Sequence, residues 1–229
     1  MTGDPTVICF GNTPRRSITR LIDKSRGCPN LTFGTAPRRV LGEPPGWVIC
    51  TLYDSFALTG RGHGTDRALI GGLLGMESHD PRLVHSLELA EEAGLKIEWE
   101  VGEESPAGHP NAVRLRLTGS VTGISTDIHA ISEGGGQVAI VMIDDFSVRL
   151  TGLYPALLVF HRDAAGVIAK VTTAVAAGGC NIARMEVARQ SRGQKALMVM
   201  ELDQSPGPEM AEEINNVSEV YRVRTVLPE

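Results

Sequence analysis

The hydrophobic pattern falls into two stretches with different histories. From Trp47 the segment WVICTLYDSFAL is β-rich, with Val48, Cys50 and Leu52 on one phase, and predicts a strand running into a glycine loop. Asp66–Met76 follows with helical spacing: Ala68, Leu69, Leu73 and Met76 fall on one face, and Thr65 stands as N-cap. Pro81–Ala93 predicts a second helix that Gly94 stops. Lys96–Glu103 and Ala112–Leu117 alternate apolar and polar positions as half-buried strands, and strands are expected again at Gln137–Ile143 and Ser147–Leu150.

After Thr151-Gly152 the pattern restarts as a compact unit. Strands are expected at Tyr154–His161, Ile182–Arg189, Ala196–Leu202 and Val220–Val226. Helices are expected at Ala165–Ala177, with Val167, Ile168, Val171 and Val175 inward, and at Pro208–Asn216. The order βαββαβ packs two helices on one face of a four-stranded antiparallel sheet, the ferredoxin-like arrangement. The fold class is therefore mixed α/β (α+β), with an N-terminal domain over residues 1–150 and a second domain over 152–229.

The first 46 residues do not share this regularity. Six prolines (Pro5, Pro14, Pro29, Pro37, Pro44, Pro45) interrupt every element except a short run at Val7–Phe10. They carry seven Arg/Lys against three Asp/Glu, so the remaining chain accounts for −9 of the overall −5. Residues 1–36 are expected to contribute little to the core.

Composition narrows the class of protein. A 229-residue chain that is 42% hydrophobic and 21% charged is ordinary for a globular protein with real cores. No apolar run reaches membrane-spanning length, which points to a cytoplasmic protein, and the acidic balance gives no reason to expect nucleic acid. The four cysteines, Cys9, Cys28, Cys50 and Cys180, are scattered without Cys-x-x-Cys spacing, against a self-contained metal site or a disulfide framework.

Three places carry candidate chemistry. In Gly60-Arg-Gly62-His63-Gly64 alternating glycines let backbone N–H groups converge, and the helix beginning at Thr65-Asp66 adds its positive end, which together suit a carboxylate or phosphate. His63 can exchange a proton near neutral pH, and Asp66 can orient the ring or cap the helix; a capped turn with a spectator histidine is the plainer alternative. Ser132-Glu133-Gly134-Gly135-Gly136 allows close backbone approach to a ligand, or a flexible hairpin entry. In the second domain, the His161–Gly166 loop leads into a helix, and Gly178–Ile182 leads out of it. If these ends approach, Asp163 and Asn181 can hold an amino acid's ammonium and carboxylate; otherwise they serve as helix cap and turn residue.

These stretches together resemble a known family. TLYDSFALTGRGHGTDRALIGGLLGME, SEGGGQVAIVMIDDFSV and the segment from Leu157 to Asp203 resemble the β chain of bacterial iron–sulfur-dependent L-serine dehydratase over roughly residues 37–229. The last segment alone resembles an ACT domain, a βαββαβ module that commonly binds amino acids. The resemblance implies a lyase that takes the α-proton and β-hydroxyl from L-serine, the resulting aminoacrylate hydrolysing to pyruvate and ammonia. It implies a [4Fe–4S] cluster ligated by a separate α subunit, and an ACT-mediated dimer that binds L-serine or a related amino acid.

By the same resemblance His63 and Asp66 are catalytic. Thr59, Gly60, Gly62, Gly64, Thr65, Ser132, Gly134 and Gly135 bind substrate, while Asp163, Gly166, Val167, Asn181 and Ile182 bind the effector. No metal ligands are expected on this chain. Two features depart from the family: its Gly-Pro-Ser-Ser-Ser-His-Thr stretch near the N-terminus is absent, and Glu133 stands where an apolar residue is usual. A shifted upstream reading frame or a lineage-specific arm would each account for residues 1–36. A non-catalytic ACT-type amino-acid sensor is the alternative function.

Overall fold

The computed structural model describes residues 31–59, 64–134 and 137–228. The run at Val7–Phe10 lies outside them, as do Gly60–His63, Gly135 and Gly136. The first unit comprises α1 (Thr32–Leu41), β1 (Pro45–Tyr53), α2 (Asp54–Thr59), α3 (Thr65–Leu74), a 3-10 turn at Pro81–His85, α4 (Ser86–Glu92), β2 (Lys96–Gly102), β3 (Ala112–Gly119), β4 (Ser125–Gly134), β5 (Gln137–Ile143) and β6 (Phe146–Leu150). Its strands form one sheet in the order β2-β1-β3-β4-β5-β6, where only β1 and β2 pair in parallel.

The second unit comprises β7 (Ala156–Arg162), α5 (Val167–Ala177), β8 (Ile182–Arg189), β9 (Lys195–Leu202), α6 (Pro208–Asn215) and β10 (Val220–Val226). Its sheet runs β10-β7-β9-β8, all neighbours antiparallel, as the βαββαβ order requires.

Both faces of this second sheet are covered. Leu157, Val159, Met198 and Met200 meet α5 and α6 through Val171, Val175, Met210 and Ile214. On the opposite face Ala156, Leu158, Phe160, Leu197, Val199 and Val226 join the core of the first unit, around Val48, Leu115, Ile128 and Ile140. A strand buried on both faces loses alternation, which is why β7 reads ALLVF. Polar contacts seal the seam: Arg224 Nε donates to Leu41 O at 3.1 Å, and Gln190 Nε2 donates to Asp145 Oδ2 at 2.8 Å.

Several expectations are corrected. The strand that opens at Trp47 stops at Tyr53, because Asp54 takes a left-handed conformation (φ 44°) and turns the chain into α2. Thr65 lies inside α3, and Gly64, at φ 67°, is the cap. The helix expected over Pro81–Ala93 is a 3-10 turn followed by α4. Strand β4 was not expected at all. Ile168, assigned inward, is 43% exposed.

The largest correction concerns residues 31–36. Leu31 and Phe33 are fully buried, and α1 runs through Pro37 because its packing outweighs the lost backbone hydrogen bond. Phe33 lies against Phe56 of α2, ring centroids 5.3 Å apart. A Cβ placed on Gly34 would stand 2.0 Å from Leu69 O, and one on Gly72 would stand 2.4 Å from Leu31 O. Helices α1 and α3 therefore cross in backbone contact, and α1 positions both helices that flank the first glycine loop.

Candidate functional site

The register of the first sheet gathers the glycine segments at one end. Tyr53 pairs with Gly102, Leu52 with Val113, Ala112 with Ile131, and Gly134 with Gln137. The end of β1, the start of β3, the end of β4 and the start of β5 thus share an edge, and β1 and β4 stand about 10 Å apart across β3. The loop of residues 103–111 ties them together. Pro110 O accepts from the N–H of Phe56 in α2 at 3.4 Å, and the next carbonyl, Asn111 O, accepts from the N–H of Ser132 at 2.9 Å. His109 Nδ1 accepts from the Asn111 N–H at 3.1 Å and shapes this dipeptide.

Thr59 is the last residue of α2, so the first glycine loop leaves from an element held by Pro110. It returns at Gly64, whose carbonyl accepts from Ala68 N–H at 3.0 Å to open α3. Thr65 is buried at the first helical position, and Asp66 follows in the first turn, its Oδ1 accepting from the Arg67 N–H at 2.9 Å. A carboxylate there is stabilised by the helix dipole. Ser86 Oγ donates to Arg67 O at 2.8 Å and pins α3 to α4. Gly60, Gly62 and His63 lie outside the described residues, as does Gly135.

At the second segment, Ser132 and Gly134 close β4, with Gly134 at φ 87°. Glu133, the residue that departs from the family pattern, pairs with Arg149 of β6 at 2.8 Å. The structure thus ties α2, which ends at Thr59, to the same sheet end as Ser132 and Gly134, while Gly64, Thr65 and Asp66 stand together at the start of α3. Sequence reading missed Pro110 and Asn111; the Gly-His-Pro-Asn composition marks a turn but does not say what its carbonyls hold.

The effector residues are not brought together. Asp163 Oδ2 accepts from Gly193 N–H at 3.0 Å and Arg189 Nη1 at 3.1 Å, and its own N–H donates to Gln194 O at 2.7 Å. The Gly193 N–H, with Arg189, holds this carboxyl below its ordinary value. Gly166 caps α5 at φ 87°, and Val167 is buried beneath the helix. Asn181 Nδ2 donates to Asp203 Oδ2 at 2.6 Å, its N–H donates to Gln204 Oε1 at 2.8 Å, and Ile182 begins β8.

Arg162 pairs with Lys195 and Ile182 with Leu202, so Asp163 and Asn181 stand at opposite ends of β9. The 11 residues of α5 alone separate them by about 16 Å. The expectation that these two ends approach within one chain fails, because β7 and β8 run parallel and the helix must cross the whole sheet.

No helix among the described residues is long and apolar enough to cross a membrane. Among the same residues no three His, Cys, Asp or Glu side chains gather as a metal site. Cys50 is fully buried in the first core, where desolvation pushes its thiol far up, and half-buried Cys180 follows α5 in the other unit. These two thiols do not fit a shared iron–sulfur cluster.

Comparison with known proteins agrees with this layout. Residues 41–141 match the family model "Serine dehydratase beta chain", and residues 156–219 match the ACT domain. A Bacillus subtilis (strain 168) protein named "Probable L-serine dehydratase, beta chain" is 36% identical over 194 residues, covering 85% of this chain and 87% of that one. The "L-serine dehydratase, beta chain" of Peptoniphilus asaccharolyticus is 33% identical over 152 residues, covering 66% and 68%. A D-3-phosphoglycerate dehydrogenase of Bacillus subtilis (strain 168) is 25% identical over 166 residues, covering 70% of this chain but 30% of its own length. With this identity extending over most of both chains, the protein belongs to the L-serine dehydratase β-chain family.

Proposed function

We propose that this chain is the β subunit of a cytoplasmic heteromeric L-serine dehydratase, divided into domains 1–150 and 152–229, and that it completes the active site of a cluster-bearing α subunit. The observation that carries this reading is the Pro110-Asn111 dipeptide, whose two carbonyls fix the flanks of both glycine segments at one sheet end. Backbone N–H groups of Gly60, Gly62, Gly64 and Gly135, with the N-terminal end of α3, hold the substrate carboxylate. Thr59, Thr65, Ser132 and Gly134 bound the pocket, Asp66 orients His63, and His63 moves the proton at the substrate α-carbon. A [4Fe–4S] cluster held by the partner would supply Lewis acidity toward the serine hydroxyl.

Co-production with the α chain should give pyruvate from L-serine, while neither chain alone does. Anaerobic reconstitution of this chain with iron and sulfide should leave it without a stoichiometric cluster by visible absorption and iron content. A full [4Fe–4S] complement on this chain alone would sink the two-subunit reading.

The ACT unit fits a paired assembly that binds L-serine or a related amino acid. Strand β8 is a sheet edge, and Met185 and Val187 on it stay 43% and 37% exposed on the helix side. Two β8 edges joined antiparallel would set Asn181 and Ile182 of one chain beside Asp163, Gly166 and Val167 of the other, the approach a single chain does not make. Val187→Lys should convert the full-length chain from dimer to monomer in sedimentation velocity. A variant that stays dimeric would place the pairing surface elsewhere.

A further inference from the structure

A recess with charged groups on both walls opens on the face of the ACT sheet turned away from its helices. It is a cleft of about 460 Å³ between the two units, within the range of small-molecule sites. One wall is Ser125 with the Asp144-Asp145-Phe146 turn; the other is Phe160, Gln190, Lys195 and Arg222.

Arg222 is the unusual group. Its side chain is only 17% exposed, and its guanidinium carbon sits 4.0 Å over the Phe160 ring. Its nearest carboxylate oxygen, Asp144 Oδ2, is 3.9 Å away, beyond hydrogen-bond distance. Among the described residues its guanidinium donates no hydrogen bond, and none of its nitrogens is sealed off from solvent, so its planar five-donor fork is open to the cleft. Lys195 on the same wall makes no ion pair among the described residues.

The opposite wall is acidic and fixed. Asp144 Oδ1 accepts from Thr126 Oγ1 and from Asp127 N–H, both at 3.0 Å, which leaves Oδ2 toward the cleft side where Arg222 lies. Asp145 is steadied by Gln190. Two cations facing two carboxylates across one small recess balance to zero. That disfavours a phosphate or a dicarboxylate and suits a molecule carrying one charge of each sign.

We propose that this cleft binds a small amino-acid zwitterion, its carboxylate on Arg222 and Lys195 and its ammonium on Asp144 and Asp145. The site goes beyond the paired-ACT reading: it lies on the other face of the sheet and is complete within one chain. Because its walls come from both units, an occupant draws the ACT sheet against the β5–β6 turn and fixes their relative position.

Isothermal titration of the full-length chain with L-serine and L-alanine tests it, with acetate and inorganic phosphate as comparison probes. In an Asn181→Ala background, which removes the paired ACT site, the expected result is one amino acid per chain at millimolar affinity or better, with acetate and phosphate at least tenfold weaker. Arg222→Gln and Lys195→Met should each weaken amino-acid binding at least tenfold. Lys195 is exposed, so its variant keeps the test valid should loss of the Phe160 stack impair folding of the other. Undiminished binding in Lys195→Met and in a folded Arg222→Gln overturns the proposal. So does tighter binding of phosphate, or no binding of either amino acid. Binding lost in Asn181→Ala but retained in both cleft variants assigns the amino acid to the paired ACT edges; the cleft then fails while the β-subunit reading stands.

Discussion

His63→Ala, assayed in complex with the α chain, should lower turnover by about a hundredfold or more, the usual contribution of a positioned acid or base. The argument combines sequence and placement. The sequence sets His63 between two glycines, and an imidazole is the side chain suited to accept and return a proton near neutral pH. The elements on either side are held firmly, α2 by Phe33 and Pro110 and α3 by its crossing with α1. A proton-transfer role predicts more than a loss of rate. The acid limb of the kcat/KM profile, set by the histidine in the free enzyme, should vanish in the variant. A role confined to proton transfer leaves the thermal melting unchanged. Near-normal turnover with the acid limb intact would return His63 to a turn residue.

How legible was this architecture in the chain? The ACT unit was legible because its strands are short, strongly apolar and separated by glycine-marked turns. The expected Ile182–Arg189 and Val220–Val226 are the observed β8 and β10 to the residue. Strand β4 escaped because the polar Asp127 and the buried His129 break the apolar run and Ser/Thr/Gly residues blur its start, although Thr126, Ile128 and Ala130 do alternate inward. Helix α1 escaped for a different reason. Gly34 and Pro37 are local breakers, and what stabilises the helix is contact with α3, which no local window contains. The placement of Asp163 and Asn181 was available in the βαββαβ order itself, since a helix joining two parallel strands must carry the chain from one end of the sheet to the other. The candidate site was half legible. Its glycines and acids stand out by type, but the Pro110-Asn111 bridge depends on the register of β3 and β4, which composition does not encode.

The α1–α3 crossing yields the largest stability effect expected from a single methyl group. Gly72→Ala should destabilise the protein by roughly 1–3 kcal/mol, even though alanine gains about 1 kcal/mol in helix propensity over glycine. The added Cβ would meet Leu31 O at 2.4 Å and Thr35 N at 2.6 Å. Both are backbone atoms of the facing helix, so no side-chain rotation relieves the clash and the helices must part. Parting them strips packing from Phe33, Leu69 and Leu73, all essentially fully buried. Gly71→Ala is the internal comparison. Its Cβ would meet Leu83 Cδ2 at 2.3 Å, the tip of a side chain that can turn aside, so the loss there should be smaller. Urea denaturation of the two variants beside the parent chain separates these cases through the midpoint at constant slope. The Gly72 variant should also lose activity in the heteromer beyond its loss of folded fraction, because the same displacement moves α3, whose N-terminal end closes the first glycine loop. A Gly72→Ala protein as stable as its parent would mean that the helices do not touch through their backbones, and the positioning role given to α1 would fall with that contact.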